Sequence, residues 1–576
     1  MVCIIQALPT EVVHLITAGE VIDSLASVVR ELVENSLDAG ATRIVVSLWP
    51  QQWRIRVADN GCGMPLDDLQ RAATAHSTSK IRQCADLWKI TSLGFRGEAL
   101  HSLTTLADLE ILSRPHCGDG GWRIVYGYGG EARHIEAAAI ANGTVVTVSN
   151  LFENWSSRRE GLPSLALQMK AVQATIQQIA LCHPHVTWQV CQNDREWFSI
   201  CPSSAVAQLL PQIVHQIKES DLHELKLEIP TPNSQLPITP YPQRGPHLPH
   251  SQLSLTIGLP DRCHRRRPDW VKVAINKRMV KSPELEQTIL TGFHRTLPRD
   301  RYPVCFLHLL IPPEQVNWNR NPAKSEIYLN HLNHWQEQIS QTIEKALRLN
   351  STSVRESAHT TRVSQLLKAA EEKAPYNFNP SNPADKPPTP HSLLPTPHNI
   401  KAVAQVNNTY IVAEHPGGVW LVEQHIAHER ILYEQLCDNW QIVPLEPPVI
   451  LYQLSPAQVA QLEHIGLDIE TFGEQLWAIR SVPALLQQRD DCGEAILELS
   501  LGGDLQTAQV AVACRSAIRN GKSLTQPEMQ AILEQWQRTR NPRTCPHGRP
   551  ICLSLEEPAL ARFFRRNWVI GKSHGI

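Results

Sequence analysis

The stretch VVRELVENSLDAG, residues 28–40, decides the fold class of this 576-residue chain. Glu31, Asn35 and Asp38 are spaced i, i+4, i+7, so a helix places all three on one face. An amide and a carboxylate one turn apart suit a site in which Asn35 holds a Mg²⁺ that bridges phosphates while Glu31 orients and deprotonates a water. The alternative is the solvated face of an amphipathic helix, and this stretch alone leaves both open.

Three further segments favour the phosphate site. ADNGCGM (58–64) follows a predicted strand, where Asp59 can accept a hydrogen bond from an adenine amino group and the glycines permit close backbone approach. HSTSK (76–80) supplies hydroxyls, and GFRGEAL (94–100) supplies a two-glycine turn and a cation before a helix, whose first N–H groups form an anion site. Four such segments in this order predict a nucleotide site.

The motifs resemble those of the ATPases that include gyrases, heat-shock chaperones, histidine kinases and MutL, and they are most similar to the MutL family of DNA mismatch repair. The matching segments are AGEVI (18–22), ASVVRELVENSLDAGATRI (26–44), DNGCGM (59–64), HSTSKI (76–81) and SLGFRGEAL (92–100). Departures occur at Ser24–Leu25, where the family often has Arg-Pro, and at NWSSRR (154–159), where Asn-x-Pro-Ala-Arg-Arg is common.

The resemblance implies slow ATP hydrolysis with ATP and Mg²⁺ as cofactors. It assigns Glu31 as general base, Asn35 as Mg²⁺ ligand and Asp59 as the adenine contact. Lys324 of NPAK (321–324) would reach the γ-phosphate from the second domain, with an asparagine where the family has the histidine of HPAK. The remaining nucleotide-binding positions are expected at Asp38, Gly63, Thr78, Ser79, Lys80, Gly94, Phe95, Arg96, Gly97 and Thr144.

A proline-rich segment divides the chain. Eight prolines lie between Pro375 and Pro397, and a stretch with so little apolar surface is typical of a flexible tether. With the resemblance, this boundary predicts an α/β (α+β) protein. Its four parts are a GHKL-type ATPase sandwich (1–200), a βαβ-type transducer domain (201–349), the linker (350–399) and an α/β dimerisation and endonuclease domain (400–576).

Secondary structure is expected to follow the hydrophobic periodicity. A single helix is predicted from Ala18 to Asp38, and strands are predicted at 43–48, 53–58 and 144–150. Prolines at 229–249 predict a surface loop.

Composition limits the class of protein. The net charge of −2, with 42% hydrophobic and 19% charged residues, indicates a globular protein without a global field for nucleic acid or membrane. No apolar run approaches the roughly 20 residues of a membrane span, and MVCIIQALPTEVVHLI lacks the features of a secretory signal. The 14 scattered cysteines favour a reducing cytoplasm and metal ligation over disulfides.

Two basic clusters in the second domain, RCHRRRPDW (262–270) and NKRMVKS (276–282), can be ordinary solvated surface or DNA contacts. The second occupies the place of the family's NGRxxR turn, so the resemblance implies that Arg278, helped by Lys277 and Lys281, binds DNA. Contacts of this kind go to phosphates, which makes binding independent of sequence and sensitive to salt.

A third group of motifs lies in the C-terminal domain. In LVEQHIAHERILYE (421–434), His425 and Glu429 are spaced i, i+4 and can share one ion, with Glu423 as a further oxygen donor. A helix of this composition is more often simply solvated. ACRSAIRNGK (513–522) adds Cys514, and TCPHGRP (544–550) adds Cys545 and His547, which together are suitable ligands for Zn²⁺ or Mn²⁺.

These motifs resemble the C-terminal domain of MutL homologues that nick duplex DNA with a bound metal, which implies a catalytic role for Glu429. Two positions depart from the family pattern, since Glu423 replaces an aspartate and Ile426 replaces an alanine. The alternative is a matchmaker ATPase without nicking activity, whose metal site is structural or regulatory. A topoisomerase subunit or a chaperone with the same nucleotide fold has no place for CPHGRP.

The resemblance also implies partners. They are a second copy of the chain, the mismatch-recognition protein MutS and duplex DNA, and no membrane is expected. The expected localisation is the cytoplasm, with the protein at the nucleoid when it is active. Apolar runs at 408–413 and 419–424 are consistent with a homodimer. QIVPL (441–445) loosely resembles the peptide that docks on the replication sliding clamp, although a plain surface turn is the simpler interpretation.

Overall fold

The structure, a computed structural model, describes residues 8–83, 86, 89–117, 120–230, 250–318, 327–348, 400–415, 417–557 and 560. The described residues form two compact units, one within Met1–Gly292 and Tyr302–Ile343 and the other within Phe293–Arg301 and Glu344–Ile576. The predicted linker, nearly all of the proline-rich loop and Lys324 lie outside the described residues.

The first unit opens with two helices where the sequence predicts one. They are α1 (Thr10–Val21) and α2 (Leu25–Asp38). The backbone N–H of Ser27 donates to Oγ of Ser24 over 3.2 Å, and the N–H of Ser24 donates to Oγ of Ser27 over 3.0 Å. This capping box starts a new helix, and apolar residues at helical spacing on both sides of it conceal the break.

An eight-stranded sheet forms the core of the first unit, in the order β5-β4-β3-β6-β2-β1-β7-β8. Neighbours pair antiparallel except β1 and β7, which are parallel. The strands are β1 (Arg43–Trp49), β2 (Arg54–Asp59), β3 (Asp108–Arg114), β4 (Gly121–Tyr126), β5 (Ala132–Ala138), β6 (Gly143–Ser149), β7 (Thr187–Gln192) and β8 (Arg195–Ile200). The helices that follow α2 here are α3 (Leu66–Arg71), α4 (Ala99–Leu106), α5 (Ser156–Gly161), α6 (Leu165–Cys182) and α7 (Val206–Ile213).

Helix α2 is held by its apolar face. Val28, Val29, Leu32 and Val33 are each at most 2% exposed within the main core of the unit, and burying such side chains contributes about 1.5–3 kcal/mol each. The helix packs against α6 and β2. Its polar face is therefore fixed relative to the end of β2, where Asp59 lies.

A five-stranded sheet, in the order β13-β12-β15-β10-β9, completes the first unit. Strands β12 and β15 are parallel neighbours with α8 between them in the chain, which is the predicted βαβ arrangement. The elements are β9 (Leu222–Pro230), β10 (His250–Gly258), β11 (His264–Arg265), β12 (Val271–Ile275), β13 (Arg278–Val280), α8 (Pro283–Gly292), β14 (Tyr302–Pro303), β15 (Cys305–Leu310), β16 (Val316–Asn317), β17 (Tyr328–Leu329) and α9 (Leu332–Leu347). Phe306 and Val304 belong to the same core as the eight-stranded sheet.

The second unit contains a four-stranded sheet, in the order β18-β19-β20-β24, and a three-stranded sheet, in the order β21-β23-β22. Each has its own core. The strands are β18 (Lys401–Val406), β19 (Tyr410–His415), β20 (Gly418–Glu423), β21 (Ile442–Tyr452), β22 (Ile469–Gly473), β23 (Leu476–Pro483) and β24 (Cys552–Glu556). The helices are α10 (Gln424–Asp438), α11 (Pro456–His464), α12 (Cys492–Ser500), α13 (Leu505–Ser516) and α14 (Gln526–Gln537).

No single helix among the described residues is both long and apolar enough to cross a lipid bilayer. The bent pair Val12–Val21 and Leu25–Asp38, with an angle of 81°, passes the same test of length and composition only when its two helices are taken together.

Gly143→Ala tests how tightly β6 lies against the end of β2. Gly143 has φ +127°, and a Cβ there would lie 2.0 Å from the carbonyl oxygen of Asp59, so the strands must separate. We expect the free energy of unfolding of the first unit to fall by about 1–3 kcal/mol, measured by denaturant unfolding. Gly161→Ala is the matched control because nothing lies within 4 Å of its Cβ position; equal stability of the two variants would contradict the prediction.

Candidate functional site

Four polar residues lie on one face of α2. Glu31, Glu34, Asn35 and Asp38 follow the spacing i, i+3, i+4, i+7, and Glu31 and Glu34 are only 6% and 4% exposed. A buried carboxylate needs compensating partners. The alternative of a solvated helix face therefore does not describe this helix.

Asp38 and Asn35 hold a cation and a loop. Nζ of Lys80 lies 2.5 Å from Oδ2 of Asp38 and 3.0 Å from Oδ1 of Asn35. The backbone N–H groups of Leu93 and Gly94 each donate to the Asp38 carboxylate over 2.8 Å. A positive group thus already lies against the amide oxygen that is predicted to bind Mg²⁺, which shows that the donor set suits a cation.

Asp59 is oriented by two hydrogen bonds at the end of β2. Oγ of Ser36 donates to Oδ2 over 2.7 Å, and the N–H of Gly61 donates to Oδ1 over 2.9 Å. Thr144 lies opposite Asp59 on β6, and its hydroxyl lies 3.0 Å from that of Ser113. The predicted adenine carboxylate and the predicted hydroxyl thus lie on neighbouring strands.

Glycines keep this region open to a ligand. A Cβ at Gly94 would lie 2.8 Å from Nζ of Lys80 and 3.1 Å from Oδ1 of Asn35, so a side chain there would fill the space beside the polar face of α2. Gly63 (φ +67°) and Gly97 (φ +65°) adopt left-handed conformations with backbone atoms where a Cβ would go. The arrangement suits the close approach of a nucleotide to backbone N–H groups.

The remaining predicted phosphate residues lie on the loops around this face. Oγ1 of Thr78 accepts from the N–H of Lys80 over 3.2 Å, and the guanidinium of Arg96 lies 5.8 Å from the ring centre of Phe95. Ser79 lines a cleft of about 490 Å³ formed by residues 79–82, 86 and 89–92. That cleft does not include Glu31 or Asp59, and the hydrogen bonds of the α2 face, not the cleft, define the candidate site.

The prediction that Arg278 binds DNA needs correction. Its side chain is 7% exposed, and its guanidinium donates to both carboxylate oxygens of Glu34 over 2.9 and 3.0 Å. A charge bound inside the protein is not available to a DNA phosphate. Lys277 and Lys281 are exposed, so the DNA-binding prediction stays with them.

In the second unit, ligand atoms of Glu429, Cys545 and His547 lie within 4.8 Å of one another. Oε1 of Glu429 is fully buried, 2.7 Å from Nδ1 of His547, and has no well-directed hydrogen bond within the described part of the chain. Oε2 accepts from Arg549 over 2.9 Å. A thiolate, an imidazole and a carboxylate that converge in this way suit Zn²⁺ or Mn²⁺.

The three groups shift one another's pKa. Burial alone would raise the pKa of Glu429, but its contact with His547 and the charge of Arg549 outweigh burial and place it below the usual range. Contacts with Cys545 and Glu429 raise the pKa of His547 to about 9. Burial alone would raise the pKa of Cys545, but its contacts, of which that with His547 contributes most, together outweigh burial and lower it. A metal ion bound here would therefore displace a proton from His547.

The other predicted ligands are not part of this cluster. The Glu423 carboxylate is the N-cap of α10 and accepts from the N–H of Ile426, so its acidic side chain is explained by helix capping. Nδ1 of His425 lies 2.9 Å from the carbonyl oxygen of Ile518. That contact leaves Nε2 as the possible ligand atom. Burial and the nearby charge of Glu429 raise the pKa of the Cys514 thiol.

Sequence reasoning missed residues that support the site. Ser36 and Ser113 orient Asp59 and Thr144, Glu34 binds Arg278, and Arg549 binds Glu429. Glu34 and Ser36 are polar residues next to the apolar positions of an amphipathic helix, and that position could have indicated a buried partner. Ser113 gives no such signal.

Family models match most of the chain. Residues 23–124 match the histidine kinase-, DNA gyrase B- and HSP90-like ATPase family, residues 242–348 match the C-terminal domain of DNA mismatch repair proteins, and residues 403–524 match the MutL C-terminal dimerisation domain.

Relatives align along the whole length. The DNA mismatch repair protein MutL of Nostoc punctiforme is 76% identical over 100% of both chains, and that of Methanoculleus marisnigri is 32% identical over 98% of this chain and 99% of its own. Among solved structures, the N-terminal domain of a DNA repair protein aligns at 25% identity and a TM-score of 0.47, covering 57% of this chain and 96% of its own. The Aquifex aeolicus MutL ATPase domain complexed with ADP aligns at 23% identity and a TM-score of 0.38, covering 56% and 98%.

Two substitutions separate a metal ligand from a helix cap. We expect Cys545→Ser to lose bound Zn²⁺ or Mn²⁺ because it removes one of three converging ligands. Glu423→Ala should retain the metal and lose about 1 kcal/mol of stability, since only a cap is lost. Metal content by mass spectrometry after dialysis, with a thermal melt, measures both.

Cys437→Ser is the control for that experiment because Cys437 is exposed and outside the cluster. Loss of metal from Glu423→Ala to the same extent as from Cys545→Ser would show that the capping assignment is wrong.

Proposed function

The chain belongs to the MutL family of DNA mismatch repair proteins and carries that family's ATPase domain, and from this premise we propose that ATP hydrolysis in the first unit controls a metal-dependent nick in duplex DNA made by the second. The observation that carries the ATPase half is the buried face of α2, where Glu31 and Asn35 lie one turn apart. The convergence of Glu429, Cys545 and His547 supports the nicking half.

In the first unit, different side chains would have separate roles in ATP binding and hydrolysis. Asp59, oriented by Ser36 and Gly61, would accept from the adenine amino group. Asn35 would hold Mg²⁺, which when bound neutralises charge on the phosphates. Glu31 is the proposed general base, because a carboxylate that is nearly excluded from solvent can take a proton from a water positioned beside it.

Slow hydrolysis suits a switch better than a motor. We propose that ATP brings the N-terminal units of a dimer together and that this state links mismatch recognition by MutS to downstream repair, in the cytoplasm. A ligand can shift such an equilibrium only by its differential affinity for the two states. Lys324 is proposed to contact the γ-phosphate.

The second unit offers a surface for the homodimer. Val403, Tyr410 and Leu553 are 53%, 43% and 58% exposed on the four-stranded sheet, while Ile411 and Val422 fill its core on the other face. An exposed apolar face of this kind would suit an interaction site. The match to a dimerisation family supports a second copy of the chain as its occupant.

For DNA and the sliding clamp the support is local. Exposed Lys277 and Lys281 would contact phosphates, with affinity that falls as salt rises. The segment Gln441–Pro444 is anchored at both ends, since its terminal carbonyl groups accept from the N–H of Ala484 and from Nε2 of Gln487. Docking on the clamp would therefore use the exposed side chains of that segment.

In the nicking site, Glu429, Cys545 and His547 would hold Zn²⁺ or Mn²⁺, which when bound activates water and stabilises charge on the phosphate. The second candidate function is a matchmaker without nicking activity. It is favoured by Glu423, which caps a helix, and by Arg549, which already neutralises Glu429. In that case the metal only stabilises the fold.

Glu31→Gln tests the general base. The variant keeps the shape of the side chain and loses its basicity, so ATP hydrolysis should fall by about 10²–10⁴-fold while binding of a non-hydrolysable analogue is retained. Steady-state phosphate release and calorimetry measure the two. Glu160→Gln, on an exposed residue, is the control, and unchanged turnover in Glu31→Gln would exclude Glu31 as the base.

Relaxation of supercoiled plasmid in Mn²⁺ tests the nicking activity. The wild type should convert supercoiled to open-circular DNA, and Glu429→Gln should not, because it removes a ligand charge. Glu494→Gln, which alters an exposed carboxylate of the same unit, should behave as the wild type. A wild type without activity would favour the matchmaker alternative.

A further inference from the structure

Arg278 joins three parts of the first unit. Besides its two hydrogen bonds to Glu34 on α2, it donates through Nη2 to the carbonyl oxygen of Leu93. Its guanidinium also lies 5.6 Å from the ring centre of Trp318. Arg278 begins β13 in the second sheet, so one side chain connects that sheet to the helix and to the loop of the ATP site.

The loop that begins at Leu93 is held from two directions. The N–H groups of Leu93 and Gly94 donate to Asp38, and the carbonyl group of Leu93 accepts from Arg278. We call residues 93–97 the phosphate loop, because they carry the two-glycine turn. Its first residue is therefore fixed on one side by α2 and on the other by the second sheet.

The turn that presents Arg278 is itself well fixed. Asn276 and Lys277 both have positive φ, +47° and +66°. The N–H of Lys277 donates to Nε2 of His308 over 3.1 Å, and Nε2 of His183 lies 3.2 Å from the carbonyl oxygen of Lys277. Because both the N–H and the carbonyl group of Lys277 have partners, the turn holds the side chain of Arg278 in one position.

We propose that Arg278 is a positioning residue of the ATP site, which sets the phosphate loop against α2 and makes its position depend on the turn between β12 and β13. Arg278 lies one residue from Lys277, the exposed candidate DNA contact. A displacement of that turn would therefore also displace Leu93 and Glu34. The inference rests on the proposed ATP hydrolysis and adds a means of regulating it.

A buried ion pair can also be purely structural, and the chemistry of such pairs separates the two roles. Removing Arg278 alone leaves Glu34 buried without a partner, which destabilises the protein whatever else Arg278 does. Replacing both charges with apolar residues of similar size commonly restores stability. The double variant Glu34→Leu/Arg278→Met therefore removes the link to Leu93 without the buried charge.

We expect Arg278→Met to lower Tm and the double variant to recover it. The double variant should still have kcat for ATP hydrolysis reduced on the order of 10- to 100-fold, as for a displaced reacting group, with the dissociation constant of a non-hydrolysable analogue changed by less than about threefold. Recovery of both Tm and kcat in the double variant would overturn the proposal, because the pair would then be structural only.

Arg278→Lys gives a second test that does not depend on recovery of the double variant. It keeps a charge for Glu34, but one ammonium group cannot reproduce the fork of hydrogen bonds to Glu34 and Leu93. We expect kcat to fall while analogue binding is kept, and unchanged kcat would overturn the proposal. Arg123→Met, on a surface pair with Glu110 and Glu136, is the control. A wild type that hydrolyses no ATP would refute the proposed function rather than this inference.

Discussion

Burying carboxylates on one face of α2 obliges the rest of the first unit to supply partners for them. Glu34 is bound by Arg278, and Asp38 is bound by Lys80 and by two backbone N–H groups. Each partner comes from a different part of the chain. Because an unpaired buried charge is costly, these pairings fix the second sheet and the phosphate loop relative to α2. The position of the candidate site follows from them.

The fold and the positions of the candidate site residues could be predicted from the sequence to the extent that local patterns determine them. The strands that carry Asp59 and Thr144 lie where alternation of apolar residues predicts them, and the helix face of Glu31 and Asn35 follows from spacing alone. The break before Leu25 was not predictable from periodicity, since it depends on two serine hydroxyls. Nor was the pairing of Glu34 with Arg278, which joins residues far apart in the chain.

Arg278 and Glu423 have partners that the sequence does not predict. The resemblance to a motif predicts that Arg278 binds DNA, and the position of Glu423 just before a helix predicts an oxygen donor for a metal. In the structure one charge is neutralised by a buried carboxylate, and the other caps a helix. A motif fixes the position of a residue in the chain, whereas its partners depend on tertiary contacts. Cys545 and His547 were easier to place, because a short turn brings them together locally.

The central claim is that the face of α2 and the end of β2 form one pocket for ATP. Calorimetric titration of the wild type and of Asp59→Asn with a Mg²⁺-bound, non-hydrolysable ATP analogue tests it most directly. One site per chain is expected in the wild type, and affinity should fall about 10-fold or more in the variant, since a charged hydrogen bond is worth about 1.5–3 kcal/mol. Absence of binding to the folded wild type, or equal affinity in the variant, would contradict the claim.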